Sequence, residues 1–284
     1  MKNTAILLIS CPDRKGLSAA IADFIFRNDG NILHSDQHQD PELDVFLMRI
    51  EWDLAGFAIA PEDFARQFTP VAERFGMQWR LALSSHRPRV AIFVSRYDHC
   101  LVDLLYRHQA GELACDIPVI VSNHAENRRW AEFYRIPYHE IAVTKENKAE
   151  AERQQLALIQ KHGLDLIVLA RYMQVLSKEF TDRYPQRIIN IHHSFLPAFV
   201  GSKPYHQAYE RGVKLIGATS HYVTEVLDEG PIIEQDVVRV SHRDTLEDLM
   251  QKGKDLEKVV LSRAVRWHIE SRILLYANRT VVFD

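Results

Sequence analysis

The apolar positions of this chain follow two successive rhythms. Residues 4–10, TAILLIS, are a short apolar run of strand composition. Residues 16–30, GLSAAIADFIFRNDG, place apolar side chains at helical spacing and end in Asn-Asp-Gly, a helix stop. NILHSDQHQD and DVFLMRIEW predict two strands joined by a turn around Pro41. Residues 61–76, PEDFARQFTPVAERFG, predict a second amphipathic helix with a kink at Pro70. MQWRLALS adds a fourth strand. The order βαββαβ predicts a ferredoxin-like domain over residues 1–84.

The polar stretch SHRPR, residues 85–89, reads as a linker. The pattern then restarts over residues 90–284. Strand VAIFVS, a helix from Asp98 to Ala110, strand IPVIVSN, a short helix near Arg128 and a short strand near Tyr138 come first. A long helix over 145–162 and strands LDLIVLA and RIINIHH follow. KLIGATSHYV and PIIEQDVVRV predict further strands, and residues 244–276 read as mostly helical. Short apolar strands alternating with helices predict an α/β, Rossmann-like domain with a mostly parallel sheet. Its ligand crevice is expected outside the carboxyl ends of the strands, where LIVLARYM and IINIHHS both stop.

Charge and cysteine usage narrow the function classes. Thirty-five Lys and Arg against 38 Asp and Glu give a formal charge of −3, which excludes a general nucleic-acid-binding surface. Cys11, Cys100 and Cys115 have no CxxC spacing and fit a reducing compartment, hence the cytoplasm. AILLIS is too short for a signal sequence, and no run reaches membrane-spanning length, so no membrane partner is expected.

The chemistry concentrates in INIHHSFLP, residues 189–197. If residues 188–192 are extended, Asn190 and His192 project to one side and Ile189 and Ile191 to the other. An amide donor and an imidazole side by side at a strand end can bind a carbonyl oxygen and handle a proton. GATSHYVTEVLDEGPII, residues 217–233, places His221 on a strand and Asp228 on the turn that follows. With no Ser or Cys placed as nucleophile, the attacking group is water or an external amine. No metal site is expected, since His192 and His193 alone make no ligand set.

NIHHSFLP followed by GATSHYVTEVLDEGPII resembles the formyltransferase family that uses 10-formyltetrahydrofolate, whose signature is Asn-x-His near a strand end and an Asp in an LD-x-GP loop. LARYMQVLS, residues 169–177, resembles the family loop that cradles the folate. The resemblance implies Asn190, His192 and Asp228 as catalytic residues and Arg171, Met173, Val175, Leu176 and His221 as folate-binding ones. The folate is then substrate, and no further cofactor is implied. The first domain, with CPDRKGLSAAIADFI and NDGNI, resembles ACT domains. That implies a regulatory amino-acid site at Asp13, Arg14, Gly16 and Asn31, an effector such as glycine or methionine, and a homo-oligomer. The joined architecture resembles that of enzymes that hydrolyse 10-formyltetrahydrofolate, supplying formate for purine biosynthesis and balancing the one-carbon pool.

Two other readings carry the same motifs: transfer of the formyl group to an amine, and a non-catalytic, amino-acid-responsive folate binder. A departure separates the first from hydrolysis. Relatives acting on glycinamide ribonucleotide have a glycine-rich loop after the first strand of this domain. Here that segment is VSRYDHCLVDLL, without glycine. Tyr97, Asp98 and His99 are expected to block an acceptor channel there, although Arg96 is a cation beside it. His193 stands where such transferases usually have proline.

Overall fold

The computed structural model describes residues 3–198 and 204–283. It divides into two compact units. One holds the chain up to Arg87 together with the segment after Ile269; the other is Pro88–Ile269.

The first unit begins β1 (Thr4–Pro12), α1 (Leu17–Arg27), β2 (Asn31–Asp40), β3 (Val45–Asp53), α2 (Pro61–Phe75), β4 (Gln78–Leu83). The strands form one sheet in the order β2-β3-β1-β4, every neighbour antiparallel. This is the predicted ferredoxin-like arrangement. Leu7 and Ile9 face the helices and join Ile21, Ile25, Trp52, Phe64 and Phe68 in one core. α2 runs unbroken through Pro70, starting on Pro61 with Glu62 and Asp63 in its first turn and closing on left-handed Gly76.

The second unit contains β5 (Arg89–Val94), α3 (His99–Gln109), β6 (Asp116–Ser122), α4 (Arg128–Tyr134), β7 (Tyr138–Glu140), α5 (Lys148–His162), β8 (Leu166–Leu169), α6 (Lys178–Arg183) and β9 (Ile188–His192). α7 (Pro204–Glu210), β10 (Leu215–Tyr222), β11 (Ile232–Arg239) and α8 (Leu246–Ile269) complete it. Its seven strands are ordered β11-β10-β9-β8-β5-β6-β7. The five from β9 to β7 are parallel; β10 pairs antiparallel with both β9 and β11. Strand order reverses between β5 and β8, so the crevice of this sheet opens at their carboxyl ends, at Ser95 and Arg171.

The expected single domain over 90–284 needs correcting at its end, as does the helix expected over 244–276. α8 stops at Ile269, and the chain re-enters the first unit as a hairpin of β12 (Ile273–Tyr276) and β13 (Arg279–Val282). The reason is the second face of the first sheet. Ile6, Leu8 and Leu47 point away from the helices and are covered by Phe283, with Leu274, Tyr276 and Val281 packed around them. The Arg49 Nε donates to the Ser271 carbonyl at 3.1 Å. β1 is buried on both faces, which is why TAILLIS is continuous rather than alternating.

Phe283 is 1% exposed. Phe283→Ala should cost about 3–5 kcal/mol of first-unit stability, as a cavity under Ile6 and Leu8. Denaturant unfolding followed by Trp52 and Trp79 fluorescence measures it, with Phe26→Ala at an exposed site as the near-neutral control.

Candidate active site

The antiparallel pairing of β10 with β9 sets His221 opposite Asn190. The Asn190 Nδ2 lies 3.2 Å from His221 Nε2. The other ring nitrogen, Nδ1, is 2.9 Å from the Tyr222 carbonyl and can only donate to it. In the neutral ring Nε2 is therefore the acceptor for one Asn190 N–H, and the second N–H of that amide stays available.

The chain then loops from Tyr222 back to β11. A Cβ on Gly230 would stand 1.7 Å from the Tyr222 carbonyl oxygen, so only glycine lets the loop close. The Tyr222 N–H donates to the Pro231 carbonyl at 2.9 Å and completes the closure. This curls Asp228, in a left-handed conformation, over the ends of β9 and β10. Its Oδ2 lies 3.2 Å from His192 Nδ1, and its Oδ1 3.7 Å from His221 Nε2. Burial alone would raise the Asp228 carboxyl, but the hydrogen bond from His192 and its charge outweigh it and hold the group well below the usual carboxylate range. The opposite nitrogen of His192, Nε2, is buried and has no hydrogen-bond partner among the described residues. Asn190, His192 and Asp228 thus come together as the sequence predicts, and His221, which the resemblance gave to the folate, stands against Asn190 instead.

The folate-loop expectations divide. Ser95 anchors the loop: its hydroxyl donates to Asn123 Oδ1 at 2.7 Å and accepts from the Met173 N–H at 2.9 Å. Glu152 accepts from the Ser177 N–H at 2.9 Å and from the Ser177 hydroxyl. Met173 and Val175 are 47% and 51% exposed, apolar surface free to meet a flat ring. Leu176 is buried in the core with Phe180 and Ile188, so its side chain packs the sheet rather than a ligand. Arg171 is buried too, in a left-handed conformation.

Arg171 belongs to a charged cluster. Its Nε is 3.4 Å from Glu257 of α8, whose oxygens also lie 2.7 Å from His99 Nε2 and accept from the Tyr205 hydroxyl at 2.7 Å. Burial pushes Glu257 up, but the His99 hydrogen bond and Arg171 charge overcome it and bring the carboxyl down to about 2. The Tyr205 ring faces His193 at 5.9 Å, and His193 faces His192 at 5.3 Å. Gly253 makes room, since a Cβ there would stand 2.1 Å from the Tyr205 hydroxyl oxygen and 2.2 Å from its ring. Glu257 escapes motif reading, yet its signal is legible: it continues the Leu249–Gly253 spacing on the apolar stripe of α8. His99, Cys100 and Glu257 bring three donor atoms within 4.8 Å of one another. The guanidinium beside that carboxylate already supplies the positive charge a metal would bring.

In the first unit Asp13, Arg14 and Gly16 line one cavity of about 320 Å³ with Ser18, Gln37, Gln39 and Phe46. Gln39 Nε2 donates to Asp13 at 2.5 Å. Asn31 is not brought there. It pairs with Asp53 at the Thr4 end of the sheet, whereas Asp13 follows Pro12 at the other.

The formyl transferase family matches residues 88–265. A formyltetrahydrofolate deformylase of Synechocystis sp. is 54% identical over 280 residues, 99% of this chain and 98% of its own. The chain belongs to the formyltetrahydrofolate deformylase family. A crystal structure of a family member from Pseudomonas syringae superposes with a TM-score of 0.98 at 48% identity, covering 100% of this chain and 95% of that one. Glycinamide ribonucleotide transformylase 1 from Symbiobacterium toebii reaches a TM-score of 0.67 at 30% identity, covering 72% of this chain and 98% of its own. Deformylase and transformylase thus share the catalytic fold, and their difference has to lie in local groups.

Two outcomes follow from the packing. Gly230→Ala should displace Asp228 and lower turnover at least about tenfold, within the range for a misplaced catalytic group; steady-state kinetics with circular dichroism as fold control measures it. Glu257 lies below its unfolded value, near 4.3, so its stabilising contribution is full above that pH and fades as pH falls toward about 2. Glu257→Gln should flatten the pH dependence of unfolding free energy across that window, read by urea titrations at several pH values.

Proposed function

We propose that the chain hydrolyses 10-formyltetrahydrofolate to formate and tetrahydrofolate. The observation that carries this reading is the Asn190–His192–Asp228 constellation at a strand-end crevice, in a chain matching deformylases along its length. The pterin lies against the exposed Met173 and Val175 of the 171–177 loop. The formyl oxygen takes the free N–H of Asn190 and the Nε2–H of His192 in its protonated form, whose Nδ1–H holds the ring to Asp228. Water is held at Asp228 Oδ1, the oxygen His192 does not occupy. Water attacks the formyl carbon, and negative charge develops on an oxygen already facing two donors. The water proton is taken up at the Asp228–His192 pair and passed to N10 as the C–N10 bond breaks. His221 positions Asn190 rather than touching the reacting atoms.

Water is preferred to an amine because the crevice wall is crowded and pinned. Tyr97 lies under the Arg171 guanidinium, His99 is bound to Glu257, and Asp98 accepts from Arg129 and Trp130. This supports the expected block between Ser95 and Cys100. The formate released serves purine biosynthesis in the cytoplasm, where three free cysteines stay reduced. The structure has no helix, among the described residues, long and apolar enough to cross a membrane.

A second site is supported by the first-unit cavity. An amino acid such as glycine or methionine fits there, with its carboxylate toward Arg14 and its ammonium toward Asp13. A homo-oligomer is supported by β2, an exposed ten-residue edge strand.

Purified protein should release formate from 10-formyltetrahydrofolate without any acceptor. Adding glycinamide ribonucleotide should yield no formylated product by mass spectrometry; stoichiometric formyl transfer overturns the hydrolase reading. Asp228→Asn should keep folate binding, measured by fluorescence titration, and lose on the order of 10²–10³ in kcat.

A further inference from the structure

Arg171 is expensive to hold as it is. Its backbone is left-handed at φ 61, a conformation that suits glycine better. Its side chain is 8% exposed, and Nε and Nη1 are buried without a hydrogen-bond partner among the described residues. Glu257 offers charge at 3.4 Å but no hydrogen bond, since its oxygens are engaged by His99 and Tyr205. Two cations flank the Tyr97 ring, Arg171 at 5.2 Å and Lys254 at 6.0 Å from its centroid. A buried guanidinium whose Nε and Nη1 have no acceptor is matched by a small carboxylate, one oxygen of which can accept from Nη1.

The position indicates which carboxylate. In the parallel pairing of β8 with β9, Leu169 is opposite Asn190. Two residues further on, Arg171 turns out of the strand in its left-handed conformation, in the loop after β8 and beside β9, which ends at His192. On its other side the Arg171 carbonyl accepts from the Ser95 N–H at 3.2 Å, at the point where strand order reverses. Formate, the smallest carboxylate, is made at Asn190 and His192. We propose that Arg171 is a carboxylate-binding residue and that it takes the formate released by hydrolysis, holding the product off the catalytic pair before it leaves. The proposal rests on the hydrolase reading and adds a product subsite to it. A carboxylate of the folate's glutamate has the same chemistry, and distance from the reacting carbon favours formate.

Carbon-13-labelled formate, titrated into the full chain and followed by line width and chemical shift, tests this without turnover. Formate should bind at least about tenfold tighter than formamide, its neutral isostere; equal binding, or no binding of formate, overturns the proposal. Arg171→Gln should weaken formate at least tenfold. So should the double variant Arg171→Gln/Glu257→Gln, which leaves no buried unpaired carboxylate, and unchanged affinity in a folded variant overturns the proposal. A further arm compares tetrahydrofolate with tetrahydropteroate, which lacks the glutamate. The affinity gap between them should be the same in Arg171→Gln as in the unaltered chain; a gap that closes assigns Arg171 to the folate tail and overturns formate. Formate binding can fail while formate release from 10-formyltetrahydrofolate persists, so the subsite and the hydrolase reading fall separately.

Discussion

A buried carboxylate between two imidazoles organises the catalytic end of this molecule. Asp228 keeps its charge out of water because His192 donates to it there. Each histidine has a second commitment. His221 is fixed through Nδ1 to its neighbour's carbonyl and through Nε2 to Asn190, while His192 leaves Nε2 for chemistry. One charge therefore sets the tautomers and the aim of the amide together. The antiparallel β9–β10 pair and the Gly230 closure are the scaffold that makes the meeting geometrically available.

A second buried charge pair stands beside the first, linked to it by the rings of Tyr205, His193 and His192. Arg171 and Glu257 bring little net stability by themselves, because desolvation of two ions consumes much of their attraction. What such a cluster does well is to fix position. Three elements, α3, α7 and the loop after β8, converge on the Glu257 carboxylate of α8. The crevice wall is consequently set by hydrogen bonds of defined length rather than by apolar contact, which tolerates sliding.

Much of this was legible in the sequence. The βαββαβ order and the alternating second block follow from periodicity, and Asn190, His192, His221 and Asp228 could be named because strand alternation and turn chemistry act locally. What escaped was tertiary. Leu176 looks like loop surface until the sheet folds over it. Asn31 and Asp13 are neighbours in motif terms but lie at opposite strand ends of one sheet. Glu257 and Tyr205 acquire meaning only when α7 and α8 meet. The terminal ILLYANRTVVF reads as a helix continuation because the apolar face it covers lies more than two hundred residues earlier.

That last segment makes the first unit discontinuous: the catalytic unit is an insertion within it. Chain synthesis runs from the first residue to the last, and domains generally fold as they emerge. Pro88–Ile269 is contiguous and can close on itself before synthesis ends. The amino-terminal unit cannot, since Ile6, Leu8 and Leu47 have no cover until Phe283 leaves the ribosome. At ordinary elongation rates that face waits roughly 10–40 s, an interval in which a chaperone or a neighbouring nascent chain has access to it. The usual order of maturation is inverted: of the two units, the one begun earlier is completed later, and a chain cut before Phe283 leaves Ile6, Leu8 and Leu47 without their cover.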